Sequence, residues 1–415
     1  MTTRDLDLVL HGATGFVGAL TAAHLAAAAP AGTRIALSGR SAKKLRAVRD
    51  ALGPAAAGWE LVVADATDQD ALDELARRTT AVITTVGPYA AHGMPLARAC
   101  ARAGTHYGDL TGEPLFVRRC IDELDATAVA SGARIVSSCG FDSVPSDLSV
   151  LLLHQRVAAD AAGSLGDTTM VAVAKGGVSG GTIASGRGQM AAVAADPSLG
   201  AVLADPYTLS PDRAREPDLG PQSDRALQRA ATIDPSLTGW VASFLMAYHN
   251  TRIVRRSAAL LDWSYGPTFR YREVMSTGSS FAAPVLAAGM AGALAGYDLL
   301  GPLVSRGVGL KVLDRVAPKP GTGPDEATRE GGYFTLRTYT RTTTGDRYRA
   351  TFAAQGDPGY KATAVLLGEA GLALALDGER LPVAAGVLTP ATALGEVLAD
   401  RLRAAGMTIT VDRLR

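Results

Sequence analysis

Short apolar runs alternate with amphipathic stretches over the first 145 residues of the chain. The apolar runs predict strands at 8–10, 34–37, 61–64, 81–85, 105–110 and 134–137. The stretches between them predict helices at 15–29, 41–52, from 68 onward and at 94–103. Strands that alternate with helices of about 10–15 residues are typical of a doubly wound parallel α/β sheet. We therefore assign residues 1–145 to an N-terminal Rossmann domain.

The pattern changes after residue 145. A helix is predicted through Leu151–Leu153, a strand at 168–174, and an irregular excursion over 195–240, which is rich in Pro, Asp and Ser. Further on, two alternating runs at 333–341 and 347–354 flank a Thr-Gly-Asp turn and predict a β-hairpin. These elements indicate a second, α+β domain over 146–358, which serves the substrate, an acyl group or oligomerisation.

The last segment, 359–415, predicts two helices at 362–375 and 390–405. We expect these C-terminal helices to return to the first domain and pack on it.

One stretch, 274–297, has no charged residue over its 24 positions. Its length is compatible with a membrane span. Most of its residues are Ala, Gly and Ser, however, and it contains Pro284. A buried or interface helix of small residues is the favoured interpretation, peripheral contact with lipid is the second, and a span is the third.

Composition narrows the class of protein. The net charge of +1 argues against a nucleic-acid partner. Three cysteines without C-x-x-C spacing, and an N-terminus without a signal-peptide pattern, favour a cytoplasmic protein. No cluster with metal-ligand spacing is present in the sequence, so no metal is predicted.

A glycine motif follows the first predicted strand and precedes the first helix. Its spacing is G-x-x-G-x-x-G, from Gly12 through Gly15 to Gly18. Gly12 permits the turn, Gly15 lets the backbone approach a pyrophosphate, and Gly18 lets the helix pack closely. This context predicts a dinucleotide site.

The second strand ends in Arg40, where an NAD-binding protein usually has an acidic residue. Arg can pair with a 2′-phosphate through two hydrogen bonds, and Lys43 and Lys44 follow it. The predicted cofactor is therefore NADP(H). Asp65 is expected at the adenine edge, and residues 86–88 beside the nicotinamide ribose. The complete predicted cofactor set is Gly12, Ala13, Thr14, Gly15, Phe16, Val17, Gly18, Ser38, Gly39, Arg40, Lys43, Asp65, Val86, Gly87 and Pro88.

With these residues in place, the chain resembles the saccharopine dehydrogenase-like oxidoreductases, and within them the actinobacterial trans-acting enoyl reductases. The matching stretches run in the family's order from one end of the chain to the other. They are Gly12–Gly18, Val86–Gly93, Gly104–Glu113, Ser138–Asp147, Gly180–Ser185, Gly356–Thr363 and Gly386–Thr392. The resemblance implies an NADPH-dependent reductase that acts on an enoyl group of a polyketide whose synthase lacks a working reductase. It also favours the interpretation of 274–297 as a segment in peripheral contact with lipid, because animal relatives are associated with lipid droplets and membranes.

Enoyl reduction needs donors for the developing enolate and a proton for the α-carbon. Tyr89 is the first catalytic candidate, because it follows the Gly-Pro turn beside the expected nicotinamide. His92 and Tyr107 are the others. Asp142 and Ser143, which precede Pro145, are interpreted as caps of the following helix.

Two alternatives stay open. A saccharopine-type amino-acid dehydrogenase would bind a substrate with several carboxylates through arginines of the second domain. A non-catalytic, lipid-associated Rossmann protein would bind NADPH without turnover. A carrier-bound or small-molecule acyl substrate, a polyketide synthase partner and a homodimer complete the expected partners.

Overall fold

We describe the fold from a computed structural model, which covers residues 4–176, 180–290, 292 and 323–415. Its strands are β1 (Leu6–His11), β2 (Ile35–Gly39), β3 (Glu60–Val63), β4 (Thr79–Thr84), β5 (His106–Gly108), β6 (Arg134–Val136), β7 (Leu165–Lys175), β8 (Leu227–Arg229), β9 (Trp240–Ser243), β10 (Arg270–Gly278), β11 (Tyr333–Thr342), β12 (Arg347–Gln355), β13 (Gly386–Leu388) and β14 (Thr408–Leu414).

The helices lie between these strands. They are α1 (Phe16–Ala28), α2 (Ala42–Ala51), α3 (Gln69–Arg78), α4 (Tyr89–Ala103), α5 (Pro114–Ser131), α6 (Val144–Ala159), α7 (Gly180–Ala195), α8 (Ser198–Ala204), α9 (Ala247–Leu260), α10 (Glu326–Glu330), α11 (Thr363–Leu376) and α12 (Pro390–Ala404). Residues 283–290 are also helical.

The first sheet has the strand order β13-β6-β5-β4-β1-β2-β3, and the pairs within it are parallel. The strand order reverses between β1 and β4, where the connections leave in opposite directions. Ligands of open α/β sheets bind at this point, beyond the carboxyl ends of the strands. The sheet confirms the predicted doubly wound Rossmann fold.

The second sheet has the order β14-β12-β11-β7-β10-β9-β8 and is mixed. Strand β7 pairs parallel with β10 and antiparallel with β11. The predicted hairpin is present as β11 and β12, which pair from Tyr333↔Gln355 to Arg341↔Arg347. A second, α+β unit therefore follows the Rossmann sheet, as expected.

Helix boundaries follow from capping. The Asp68 side chain accepts a hydrogen bond from Ala71 N (3.1 Å) and begins α3, whose last turn carries Arg77 and Arg78. Helix α4 begins at Tyr89 rather than at the predicted residue 94, because the Glu113 carboxylate accepts hydrogen bonds from its first two N–H groups. The predicted strand over 105–110 is only three residues long.

The C-terminal segment is more than a pair of helices. Helix α11 packs against α1, β1, β4 and β5, as predicted for a segment that returns to the first domain. The sequence did not predict β13, which extends the first sheet, or β14, which pairs with β12 in the second. The division of the chain at residues 145 and 358 stays a prediction.

Both sheets contribute to one continuous apolar cluster. It contains Leu8 and Leu10 of β1, Leu366 of α11, and Phe334 and Phe352 of the second sheet.

In the described part of the chain, one helix, Pro358–Leu376, is apolar and long enough to cross a membrane, and 72% of its apolar window is buried inside the protein. That burial is typical of a core helix.

The uncharged segment 274–297 does not form one buried helix in its described part. Residues 274–278 belong to β10, and 283–290 are helical, with Phe281, Val285 and Leu286 exposed. Residue 291 and residues 293–297 lie outside the described residues.

Candidate active site

The turn between β1 and α1 leaves the first N–H groups of α1 without a side-chain cap. Gly15 is the N-cap residue, and its N–H donates to Gly12 O (3.0 Å). Gly15, Phe16 and Val17 line a cavity. An uncapped helix N-terminus favours anions, because its N–H groups and the helix dipole both point toward them. The loop therefore fits the pyrophosphate of a dinucleotide.

The three motif glycines differ in how closely they approach their neighbours. Gly12 has φ +87°, and a Cβ there would lie 2.7 Å from Thr85 Oγ1. A Cβ on Gly18 would lie 2.2 Å from the backbone oxygen of Gly12, whereas one on Gly15 would lie 3.4 Å from the same atom. The separate roles expected for the turn, the phosphate approach and the helix packing agree with these contacts.

A cationic edge follows the second strand. The Arg40 side chain is 82% exposed, and its Nε lies 3.9 Å from Asp65 Oδ2. Lys43 and Lys44 are exposed in the first turn of α2, and that turn contains no acidic residue. Ser38 is buried, and its Oγ lies 3.1 Å from His11 Nδ1. Burial lowers the pKa of His11 to about 4, so that imidazole is neutral. The edge fits a 2′-phosphate.

A cavity of about 510 Å³ joins the glycine turn to the second sheet. Thr85, Gly87 and Pro88, at the end of β4, line the side beside the cofactor residues. The opposite side is largely apolar: Leu110, Phe141, Ala174, Phe244, Met246 and Met275 line it. Among the described lining residues there is no Lys or Arg, and Asp142 is the only carboxylic acid.

The expected role of Tyr89 needs a correction. Its ring lines the cavity, but the phenol donates to Thr84 O (3.1 Å) and accepts from Leu110 N (3.1 Å). Burial raises its pKa, so the phenol stays neutral. Because the phenol O–H donates its hydrogen bond to the backbone, Tyr89 links the ends of two strands and does not act as a hydrogen-bond donor to an enolate.

The other two catalytic candidates lie away from the cavity. His92 is exposed on α4 and does not contribute to the cavity lining. Tyr107 is fully buried in β5 among the core residues of the Rossmann sheet. Neither side chain can reach a substrate in this arrangement, since one faces solvent and the other faces the core.

Glu113 connects three segments around the cavity. Its Oε1 accepts from Tyr89 N (2.9 Å) and Ser185 Oγ (2.6 Å), and its Oε2 accepts from Ala90 N (2.8 Å). The carboxylate thus caps α4 and holds α7, a helix that the sequence did not predict, against the Rossmann domain.

Glu113→Gln is expected to lower the free energy of unfolding by about 1–3 kcal/mol, because an amide NH₂ would face one of the three donors. Thermal and urea unfolding would measure this loss. Glu123→Gln is the matched control on α5: Glu123 forms exposed ion pairs with Arg98 and Arg119, which are worth at most about 1 kcal/mol. Equal effects of the two substitutions would contradict the capping role.

Three buried arginines of the second domain, Arg252, Arg255 and Arg256, are engaged by the protein itself. Arg256 is fully buried and donates to the backbone oxygens of Leu209 and Val387. Arg255 donates to Tyr271 O (2.8 Å), and Arg252 pairs with Asp224. None of the three lines the cavity. They hold the 195–240 excursion against the protein.

A strained turn carries Asp142 into the cavity. Ser143 has φ 101°, a conformation that costs a non-glycine residue about 1–3 kcal/mol. It occupies the N-cap position of α6, but its Oγ donates to Asn250 Oδ1 (3.0 Å) instead of capping the helix. Asn250 Nδ2 in turn donates to Glu273, a buried carboxyl that Tyr271 also contacts. The expected capping roles of Asp142 and Ser143 are therefore wrong.

Known proteins match this chain at three levels. The family described as "Saccharopine dehydrogenase NADP binding domain" matches residues 8–136. A Mycobacterium tuberculosis protein provisionally named a trans-acting enoyl reductase is 54% identical over 418 residues, which cover 100% of this chain and 99% of the relative. A Mycobacterium ulcerans protein named trans-acting enoyl reductase is 51% identical over 414 residues and covers 99% of both chains.

A solved structure shares the fold. Apo saccharopine dehydrogenase (L-Glu forming) from Saccharomyces cerevisiae superposes with a TM-score of 0.58 over 98% of this chain and 99% of that chain, at 14% identity.

Proposed function

The chain belongs to the saccharopine dehydrogenase-like oxidoreductases, in the branch named trans-acting enoyl reductases, and from this membership we propose that it reduces the carbon–carbon double bond of a 2-enoyl thioester. It is an oxidoreductase that uses NADP(H). The proposed substrate is an acyl group of a polyketide or lipid intermediate, held on a carrier or as a small-molecule thioester.

The observation that carries this proposal is the character of the cavity. Its apolar side, with Phe141, Phe244, Met246 and Met275, is continuous with the glycine turn and the end of β4. An acyl chain gains free energy from burial there, at roughly 0.8 kcal/mol per CH₂ group. The acyl chain of the substrate can therefore bind on the apolar side, with its thioester end toward the cofactor.

The cofactor residues divide the work of binding. In this proposal the N–H groups at the start of α1, which have no side-chain cap, bind the pyrophosphate, and the exposed side chains of Arg40, Lys43 and Lys44 bind the 2′-phosphate. Bound NADPH supplies a hydride for the β-carbon of the substrate. The neighbouring glycine and proline at 87 and 88 leave space for the nicotinamide side, where the cavity begins.

A saccharopine-type substrate is less compatible with this cavity. Such a substrate has several carboxylates, which need cations to offset their desolvation. Among the described lining residues there is no Lys, Arg or His, and the buried arginines are bound to backbone oxygens and to Asp224. The acyl substrate is the better match.

The direct test is NADPH oxidation by the purified protein with 2-enoyl thioesters of increasing chain length. We expect stoichiometric formation of the saturated thioester, identified by mass spectrometry, and no oxidation with saturated thioesters as controls. NADPH oxidation with an oxoacid and an amino acid, and none with any enoyl thioester, would replace this proposal with the saccharopine-type reaction.

Ala174→Phe is expected to shorten the acyl chain that the protein accepts. Ala174 lines the apolar side, so the larger ring fills space that distal methylenes of the substrate would occupy. KM for a twelve-carbon enoyl thioester should rise by about 10-fold or more, with little change for crotonyl thioester. Ala191→Phe, at an exposed position of α7, is the control. A uniform change for both chain lengths would contradict acyl binding at Ala174.

Partners and location stay proposals. The name of the relatives supports presentation of the acyl group by a polyketide synthase. The exposed side chains of Phe281, Val285 and Leu286 support peripheral membrane contact near 274–297. A cytoplasmic location and a homodimer remain predictions from the sequence.

A further inference from the structure

We propose that Asp142 is the catalytic acid of this site, which gives its carboxyl proton to the α-carbon of the enolate formed from an enoyl thioester. The inference rests on the proposed reduction of such a substrate. It names the residue that completes the reaction.

The location of Asp142 is the first argument. Its side chain lines the same cavity as Gly15, Thr85 and Gly87 on the cofactor side and Phe141 on the acyl side. Its carboxylate faces Gly112, where a Cβ would lie 3.7 Å from Asp142 Oδ2. No side chain at position 112 stands between that carboxylate oxygen and the Gly112 backbone.

The strained turn is the second argument. Ser143, the next residue, is held at φ 101° by its hydrogen bond to Asn250, which is itself held by Glu273. Residues held in such conformations cluster at active sites and ligand-binding sites, where the surrounding structure maintains them. Here the buried contacts fix the backbone that presents the Asp142 carboxyl.

The other hydroxyl groups of the cavity are engaged by the protein. Their described hydrogen bonds are Thr85 Oγ1 to Gly12 O, Tyr89 Oη to Thr84 O, Ser185 Oγ to Glu113, Tyr248 Oη to Gly112 O and Thr363 Oγ1 to Pro358 O. Tyr360 Oη accepts from Gly180 N, and Thr182 also has a partner. Within the described part of the chain, the Asp142 carboxyl has no such hydrogen bond.

The acidity of the Asp142 carboxyl suits the donation of a proton to the enolate. Burial raises the pKa of Asp142 to about 6, so a fraction of the carboxyl holds its proton near neutral pH. A general acid works best when its pKa lies near the working pH, because it is then both protonated and able to release the proton.

When NADPH is bound, its nicotinamide would supply the hydride that forms the new C–H bond at the β-carbon and would be left as NADP⁺, its own C–H bond broken. The electrons of the double bond move toward the thioester carbonyl and give an enolate. The α-carbon of the enolate then takes the proton from Asp142, which breaks the carboxyl O–H bond and leaves a carboxylate. Water restores the proton on Asp142 before the next turnover.

Asp142→Asn tests the assignment with the full-length protein, NADPH and an enoyl thioester. We expect turnover to fall by about 100-fold or more, the usual contribution of a general acid, with the affinity for NADPH unchanged. Asp400→Asn, at an exposed carboxylate of α12, is the matched control. In D₂O the wild-type product should carry α-deuterium on one face only, whereas the residual product of Asp142→Asn should lose this stereospecificity.

A second variant separates chemistry from folding. Asp142→Ala leaves room for a small acid, and added formate is expected to restore part of the turnover, which a structural role would not allow. Turnover of Asp142→Asn within twofold of wild type, with one-sided deuterium, would overturn the assignment and leave the enoyl reductase proposal intact. Absence of wild-type activity with every enoyl thioester would overturn both.

Discussion

Arg40→Asp is expected to lower the affinity for NADPH by about 100-fold or more while the affinity for NADH changes little or improves. Two charge-assisted hydrogen bonds from a guanidinium to a phosphate are worth roughly 1.5–3 kcal/mol each, and the new carboxylate would also repel the 2′-phosphate. An acidic residue at this strand end can instead accept hydrogen bonds from the ribose hydroxyls of NADH. Arg40 is 82% exposed, so the substitution leaves the core untouched.

Fluorescence titration of both nucleotides at one fixed salt concentration measures this change, because salt screens exposed charges. Arg46→Asp is the matched control: it makes the same charge change at an exposed position of α2, the helix that follows Arg40. An unchanged ratio of the two affinities in Arg40→Asp would place the 2′-phosphate elsewhere. Equal losses in both variants would mean that overall charge, and not the Arg40 contact, sets the preference.

Gly18→Ala should lower the free energy of unfolding markedly, whereas Gly15→Ala, three residues earlier, should fold with near wild-type stability and bind NADPH weakly. A Cβ on Gly18 would lie 2.2 Å from a backbone oxygen, and no side-chain rotation relieves such an overlap. Overpacking of this kind costs about 1–3 kcal/mol or more. On Gly15 the nearest atom lies at 3.4 Å, so the added methyl group fits the protein but stands where a pyrophosphate would approach.

Circular dichroism with thermal unfolding separates the two losses, and nucleotide titration completes the comparison. Gly188→Ala is the control, because a Cβ there meets nothing within 4 Å and alanine favours a helix over glycine by about 0.5–1 kcal/mol. A stable Gly18→Ala protein would show that α1 can move away from the turn.

The glycine turn and the first sheet could be predicted because their signals are local. The turn needs glycine at fixed spacing, and buried parallel strands appear as short apolar runs such as Leu8–Leu10. Strands β13 and β14 were not predicted, because three residues at Gly386–Leu388 give almost no periodic signal and β14 is mostly polar. Helix α7 was missed because its many small residues give it no apolar face.

The site was less accessible to sequence reasoning than the fold. Tyr89 lies in the expected place, but its phenol is bound by the backbone of Thr84 and Leu110, and the latter is 21 residues away. The Glu113 carboxylate caps a helix that begins 24 residues earlier. Such long-range hydrogen bonds correspond to no fixed spacing of residues, so the sequence does not reveal them. Asp142 was interpreted as a helix cap, because the φ of Ser143, which orients it, is a property of the folded chain and gives no local signal.

The placement of β13 in one sheet and β14 in the other has a consequence for biosynthesis. Each of them is the last strand of its sheet to be translated, and α11, which covers β1 and β4, also follows strands β1 to β6 in the chain. The first sheet therefore cannot be completed until β13 has been translated, and the nascent Rossmann region holds an uncovered apolar face until α11 emerges. A chaperone that shields this face during elongation would be of direct benefit, and stop codons ahead of β13 or β14 should yield chains marked for degradation rather than shortened active enzyme.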